Sequence, residues 1–362
     1  MTVTGYSIFS SCVSRVATRF LHALAPETAH HVAIRLLSLG LYPAVKSDSP
    51  RLATQCLNMN LSNPIGLAAG FDKDCRAARA LSRMGFGFVE CGTVTPRPQP
   101  GNPQPRLFRL PEDGAIINRL GFNSGGADAF LRRLRHIREM EAKQSGHARI
   151  GVNLGINKEG AKPERDYAQS AAAFSLLADY LTINLSSPNT PGLRNLQGAR
   201  SIAGILQAVR KETPLHPPLL VKIAPDLARD ALDDIVEACV DNGVAGLIVS
   251  NTTVSRPHGL ASPHQQEAGG LSGRPLSQLA ITTLRDVARL NRGRMTLISS
   301  GGIETGFDVL ERLRAGADLV QLYSAFVLRG PAIVSRIKRE LLHEMSRRNF
   351  ETIKDVIANR DF

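Results

Sequence analysis

A chain of 362 residues, 43% of them hydrophobic, carries enough apolar side chain for one large barrel core or two ordinary domains. Its formal net charge of +12 favours an anionic partner, whether a phosphate-bearing cofactor, an acidic substrate, anionic lipid or nucleic acid. Five cysteines without a Cys-x-x-Cys pair argue against a disulfide framework and a zinc or iron–sulfur centre, and no run reaches the ~18 apolar residues of a membrane span.

The first ~45 residues differ from the rest. Phe9, Cys12, Val13, Val16, Phe20 and Leu24 recur at helical spacing, with Arg15, Arg19 and His22 as a polar stripe beside them. After Ala25-Pro26-Glu27 a second helix is predicted, with Ala29, Val32, Ala33, Leu36 and Leu37 on one face. Two short amphipathic helices with basic polar faces suit a membrane surface; they also suit a hairpin packed on its own domain. No signal-peptide pattern is present, and the basic, acid-poor start faintly resembles a mitochondrial presequence.

From residue 65 onward strand-like runs alternate with helical ones. The predicted strands are Ile65–Ala69, Phe88–Val94, Ile150–Leu154, Tyr180–Leu185, Leu219–Ile223, Gly246–Ser250, Thr296–Ser300 and Leu319–Tyr323. The predicted helices between them are Arg76–Met84, Ala127–Glu139, Asp166–Ala178, Ser201–Glu212, Ala231–Asp241, Pro275–Asn291 and Gly306–Ala315, with a last one from about Pro331 to Arg348. Thr305 and Asp308 form a variant of the capping box at the seventh. Eight strands, each eventually followed by a helix, count out an α/β fold of the (β/α)8 TIM-barrel type. A doubly wound sheet would call for a glycine-rich phosphate loop after strand one, and none follows Ile65–Ala69. The proline-rich piece Pro96–Pro111 reads as a stiff active-site loop.

In a barrel the C-terminal strand ends converge on one face. Here they carry Ala69, Gly70 and Lys73; Thr93; Asn153; Asn184 and Ser187; Lys222; Ser250, Asn251 and Thr252; Gly301 and Gly302; Tyr323 and Ser324. The glycine pair and Ser324 follow strands seven and eight, a common phosphate-binding place in barrels. Two lysines on that face suit a bound negative charge, and the amides and hydroxyls suit a flat polar ring. No histidine, His-Glu-x-x-His motif or carboxylate pair stands at a strand end, which argues against metal hydrolysis and glycoside cleavage. A phosphate-anchored site with lysines favours redox chemistry by a bound cofactor, with no metal.

The longer motifs are Asn63-Pro-Ile-Gly-Leu-Ala-Ala-Gly-Phe-Asp-Lys73, Gly92-Thr-Val-Thr-Pro-Arg-Pro-Gln-Pro-Gly-Asn102, Asn118-Arg-Leu-Gly-Phe-Asn123, Asn184-Leu-Ser-Ser-Pro-Asn-Thr-Pro-Gly-Leu193, Val221-Lys-Ile-Ala-Pro-Asp-Leu227 and Gly269-Gly-Leu-Ser-Gly-Arg-Pro-Leu276. On these the chain resembles the class 2, quinone-linked dihydroorotate dehydrogenases over nearly its whole length. The resemblance implies an FMN barrel that oxidises dihydroorotate to orotate in pyrimidine synthesis and passes the electrons to a membrane quinone. It implies Ser187 as catalytic base, where class 1 enzymes have a cysteine, with Thr190 and Phe122 around it. Substrate contacts are implied for Lys73, Asn118, Arg119, Leu120, Gly121, Phe122, Asn184, Asn189, Asn251 and Thr252. FMN contacts are implied for Ala69, Gly70, Phe71, Asp72, Lys73, Thr93, Asn153, Asn184, Lys222, Ser250, Gly273, Gly302, Tyr323 and Ser324. Residues 1–45 resemble the class 2 extension that meets the membrane and admits quinone, leaving 46–362 as the FMN-binding barrel. The first ~18 residues match the family poorly and lack the spanning helix of mitochondrial forms. A bacterial, monomeric enzyme bound peripherally to the cytoplasmic side of the inner membrane is therefore expected.

Two other readings compete. A class 1 dehydrogenase using fumarate or NAD is opposed by Ser187 and by the N-terminal extension. An RNA-binding flavoprotein of the dihydrouridine synthase kind would suit the basic charge. It would also need an RNA-binding domain and a catalytic cysteine in a barrel loop, and neither is found, so no nucleic-acid partner is expected.

Overall fold

The computed structural model describes residues 18–43, 45–143 and 147–361. Its strands in chain order are β1 (Thr54–Cys56), β2 (Met59–Leu61), β3 (Ile65–Leu67), β4 (Phe88–Val94), β5 (Leu107–Leu110), β6 (Ala115–Asn118), β7 (Ile150–Leu154), β8 (Tyr180–Asn184), β9 (Leu219–Ile223), β10 (Gly246–Val249), β11 (Gly270–Gly273), β12 (Thr296–Ser300) and β13 (Leu319–Leu322). Eight of them close into a parallel barrel in the order β3-β4-β7-β8-β9-β10-β12-β13. Each is a nearly continuous apolar or β-branched run, as strands covered on both faces must be. All eight lie within the runs read from the sequence. The capping box at the helix Gly306–Arg314 forms in both directions between Thr305 and Asp308.

The barrel interior changes character along its axis. At the N-terminal end Met59, Leu61, Phe88, Tyr180, Leu220, Ile248, Ile298 and Leu319 form an apolar plug, with the β1–β2 hairpin closing it from below. Glycine makes room for the large rings there: a Cβ on Gly151 would lie 2.0 Å from the Tyr180 ring. Above the plug is a polar layer around Glu90, and above that is the barrel mouth.

Three strands lie outside the barrel in an antiparallel sheet, ordered β11-β6-β5. The proline-rich piece predicted as a loop therefore runs into β5. The sheet alternates in the manner of a two-faced structure. Phe108, Leu110, Ala115, Ile117 and Leu271 pack together. Leu107, Arg109 and Ile116 line a different cavity, under the N-terminal helix. That helix, Pro26–Ser38, packs against β5 and the helix Ala78–Arg83. It is pinned by Glu27, whose carboxylate accepts from Arg106 at 2.6 Å. Its buried residues are Ala29, Ile34 and Leu37, whereas Leu36 is exposed. Four of the five residues of the predicted stripe, Ala29, Ala33, Leu36 and Leu37, face that cavity together, and Ile34, outside the stripe, is buried in the main core. Of the preceding helix, residues 18–23 are helical; Phe9, Cys12, Val13, Arg15 and Val16 lie outside the described residues.

Candidate active site

The barrel mouth is built on a stack of hydrogen bonds. Glu90, fully buried on β4, accepts from Asn153 Nδ2 at 2.7 Å, Tyr180 Oη at 3.0 Å and Gln321 Nε2 at 2.7 Å. A buried carboxylate needs that many donors. Asn153 in turn accepts from Thr93 Oγ1 at 2.5 Å and from Asn184 Nδ2 at 3.0 Å. Asn184 Oδ1 then accepts from Ser186 Oγ at 3.2 Å, and Asn251 donates to Ser186 Oγ at 2.9 Å. Side chains from β4, β7, β8 and the loop after β10 are thereby locked together under the mouth.

The pocket above this stack collects most of the predicted residues. Ala69, Gly70, Lys73 and Thr93 enter from the β3 and β4 ends. Asn118, Leu120, Gly121 and Phe122 come from the end of β6 and the loop after it. Asn184 ends β8 and Ser187 and Asn189 follow it, Lys222 lies in β9, and Ser250, Asn251 and Thr252 come directly after β10. Gly273, Gly302, Tyr323 and Ser324 complete the wall.

Four predicted contacts are placed elsewhere. Arg119 turns away from the pocket, pairs with Glu267 at 2.6 Å and lies 4.6 Å from the Phe108 ring centroid. It directly follows Asn118, the last residue of β6, and successive side chains along extended chain take opposite faces. Phe71 packs edge-on against His30 and Phe326. Asp72 spends its carboxylate on the backbone N–H groups of Arg76 and Ala77, at 2.8 and 2.7 Å. Asn153 sits one layer down, in the stack that carries Thr93 and Asn184, and does not reach the pocket wall.

Ser187 is buried, and its Oγ accepts from the Asn189 backbone N–H at 3.3 Å. Among the described residues its hydroxyl has no imidazole or carboxylate partner. Lys222 stands beside Asn184 in the β8–β9 register. It is buried and has no hydrogen-bond or ion-pair partner among the described residues. Burial pushes its pKa below the ordinary lysine value, opposed by the charge of Glu90. Lys73 donates to Asn123. Burial, reinforced by the Arg106 guanidinium, lowers its pKa to about 7, against the opposing pull of Glu27 and Asp74.

Tyr323 also faces a second, apolar cavity of about 610 Å³ beneath the N-terminal helices. Leu21, Ala29, Ala33, Leu36 and Leu37 form its helical side, and Leu107, Ile116, Phe326 and Val327 its barrel side. Its few polar side chains include Arg109, which donates to Leu21 O at 3.4 Å, and His30, whose imidazole burial holds neutral with a pKa of about 4. Phe20, Leu39 and Leu41, which lie in or beside the segments that line it, are each more than 60% exposed.

The family model of dihydroorotate dehydrogenase matches residues 51–345. The chain belongs to the dihydroorotate dehydrogenase family. Its relatives place it in the quinone-linked class: "Dihydroorotate dehydrogenase (quinone)" of Xanthobacter autotrophicus is 49% identical over 92% of this chain and 95% of that protein. The mitochondrial protein of the same name from Mus musculus is 47% identical over 92% of this chain and 87% of its own length. The ligand-free dihydroorotate dehydrogenase structure from Eimeria tenella superposes with a TM-score of 0.90 at 41% identity, covering 92% of this chain and 99% of that one. The Eimeria enzyme in complex with ferulenol gives 0.89 at the same identity. Sequence reasoning passed over several residues of the site. Glu90, the one acid within the apolar strand Phe88–Val94, carried a readable signal, because a lone charge in a buried strand needs partners. Gln321, inside β13, is of the same kind.

Proposed function

We infer that this chain oxidises dihydroorotate to orotate with FMN as its bound hydride acceptor, and that a membrane quinone then removes the electrons. The observation that carries the reading is the pairing of two unlike cavities on one residue. A polar pocket holding Ser187 and an unpartnered lysine meets an apolar cavity at Tyr323. Purified protein should be yellow, should bleach anaerobically with dihydroorotate, and should recover its colour with quinone. A colourless protein, or one that dihydroorotate leaves yellow, defeats the reading.

The residues fit a flat, phosphate-bearing ring. Gln321 Oε1 is buried at the pocket without a protein partner, and Lys222 lines the same pocket with no hydrogen-bond or ion-pair partner among the described residues, one an acceptor and one a basic group. Gly302, at φ +71°, has no room for a side chain, since a Cβ there would lie 2.5 Å from the Ser277 backbone. Bare backbone of that kind can approach phosphate oxygens. Ala69, Gly70, Thr93, Asn184, Lys222, Ser250, Gly273, Gly302, Tyr323 and Ser324 are the residues that would hold FMN. When bound, FMN supplies the hydride acceptor.

Lys73 and the amides of Asn118, Asn189 and Asn251 would grip the substrate's carboxylate and ring. Ser187 would take the proton from C5 as hydride leaves C6. A serine hydroxyl is a weak base, so the closed pocket and a relay that carries the proton onward are part of its competence. Lys222 would make the pocket favour added negative charge.

The pKa of Lys73 gives orotate binding a pH dependence with a definite sign. Below pH 7 the free ammonium is present and attracts the carboxylate. Above it the amine is neutral and must take up a proton on binding. Orotate affinity should therefore fall as pH rises from 7 to 8.5, by up to ~10-fold per unit. Titration of the flavin spectrum measures this, and Lys73→Met should flatten the profile as well as weaken binding. A flat profile in the unmutated protein removes Lys73 from this role.

No helix among the described residues is long and apolar enough to cross a membrane. The exposed Phe20, Leu39 and Leu41 instead suit a protein that rests in a membrane surface, proposed as the cytoplasmic face of a bacterial inner membrane, as a monomer. Replacing all three with serine should reduce co-sedimentation with anionic lipid vesicles by at least ~10-fold, given the apolar area withdrawn. Flavin reduction by dihydroorotate should be unaffected. Unchanged sedimentation would locate the membrane contact elsewhere.

A further inference from the structure

Arg194 lines neither the pocket nor the apolar cavity, yet it binds three of the loops that make the pocket. It lies at the far end of the Ser187 loop, in the short turn Leu193–Gln197. Its Nε donates to Ser186 O at 3.1 Å, immediately before Ser187. Its Nη2 donates to Thr252 O at 2.9 Å, in the loop after β10. Its Nη1 donates to Asp226 Oδ2 at 2.8 Å, in the loop after β9. Asp226 extends the same tie: it accepts from the Val254 backbone N–H at 3.2 Å and from Thr253 Oγ1. The pair is mostly shielded, with side chains 22% and 15% exposed.

The loop that carries Ser187 leaves the barrel after Asn184, and Pro188 and Pro191 stiffen it without fixing its height over the pocket. Abstracting a proton from carbon tolerates little misplacement of the base. A planar guanidinium can satisfy three acceptors in three directions, which an ammonium on a flexible stem does less well.

We propose that Arg194, braced by Asp226, is a positioning residue that locks the Ser187 loop onto the Asn251–Thr252 loop and so holds the base over its substrate. This rests on the role of Ser187 proposed above. It is a statement about the reducing half-reaction alone, since nothing in the clamp touches the apolar cavity.

The test uses the full-length, flavin-loaded protein and its Arg194→Gln, Arg194→Lys, Arg194→Ala and Asp226→Asn variants. Arg194→Gln should slow flavin reduction by dihydroorotate about 10- to 10²-fold. The orotate dissociation constant should change much less than the rate. Quinone reoxidation of chemically reduced protein should be unchanged, and amide hydrogen exchange should quicken in residues 186–193 and 251–255. Arg194→Lys should fall between, and added guanidinium should restore part of the rate in Arg194→Ala. Asp226→Asn should shift the same quantities in the same direction more mildly, which keeps the idea testable if the arginine variants do not fold. Unchanged reduction with unchanged exchange overturns the proposal, and so does an equal loss in both half-reactions. If dihydroorotate does not bleach the unmutated protein, the functional reading has failed instead, and the exchange measurement still decides whether the clamp exists.

Discussion

Ser187→Ala is expected to slow flavin reduction by dihydroorotate by at least ~10²-fold, the lower end of what loss of a general base costs. The replacement removes one oxygen from a buried loop whose shape rests on other groups. Asn189 loses an acceptor at 3.3 Å, a long and weak bond, while the Asn184–Ser186–Asn251 contacts remain. FMN should stay bound and orotate should bind nearly as well. Ser187→Cys should keep part of the rate and gain with rising pH, as thiolate forms. Stopped-flow absorbance reads both effects. Reduction of Ser187→Ala at close to the normal rate would take the proton-abstracting role from this residue.

Lys222→Met is expected to be the other large perturbation. The lysine is a buried cation with no protein partner among the described residues, and the nearest offset to it is Glu90, which is already committed to Asn153, Tyr180 and Gln321. A cation held in that position is costly in the empty pocket and favourable once negative charge arrives. Its removal should lower the flavin's reduction potential and slow reduction about 10²- to 10³-fold, as loss of one preorganised electrostatic donor does. The neutral side chain should also relieve the burial cost, so the protein should melt no lower than the parent. A spectroelectrochemical titration that finds the same potential in a flavin-replete Lys222→Met protein would contradict the role.

These positions were legible because strand ends are legible. Each barrel strand is a short run of β-branched and apolar residues that stops at a loop residue, so Lys222, Asn184 and Thr93 could be assigned to one face before any coordinates. What the sequence hid was pairing at long range. The sheet β11-β6-β5 joins Gly270–Gly273 to Ala115–Asn118, and Gly-Leu-Ser-Gly has little strand character of its own. The β1–β2 hairpin has strands of three residues, too short to show a period. Side-chain direction was hidden too. Phe71, Asp72 and Arg119 stand inside the motifs on which the resemblance to the family was read, yet they serve the packing of His30 and Phe326, the start of the helix Ala78–Arg83, and the Glu267 contact. A motif reports that a segment is constrained without saying which of its side chains meets the ligand. Arg194 and Asp226 are 32 positions apart, and the parallel pairing of β8 with β9 is what brings their loops together.

The central claim is that two half-reactions occupy two cavities that share Tyr323. Anaerobic double mixing tests it most directly: dihydroorotate first bleaches the protein, then a long-tailed quinone is added with and without saturating orotate. The account predicts that quinone restores the flavin absorbance at the same rate in both cases, because orotate fills the polar pocket and leaves the apolar one open. Competitive blocking of reoxidation by orotate would mean that quinone enters through the substrate pocket, and the two-cavity account would be wrong.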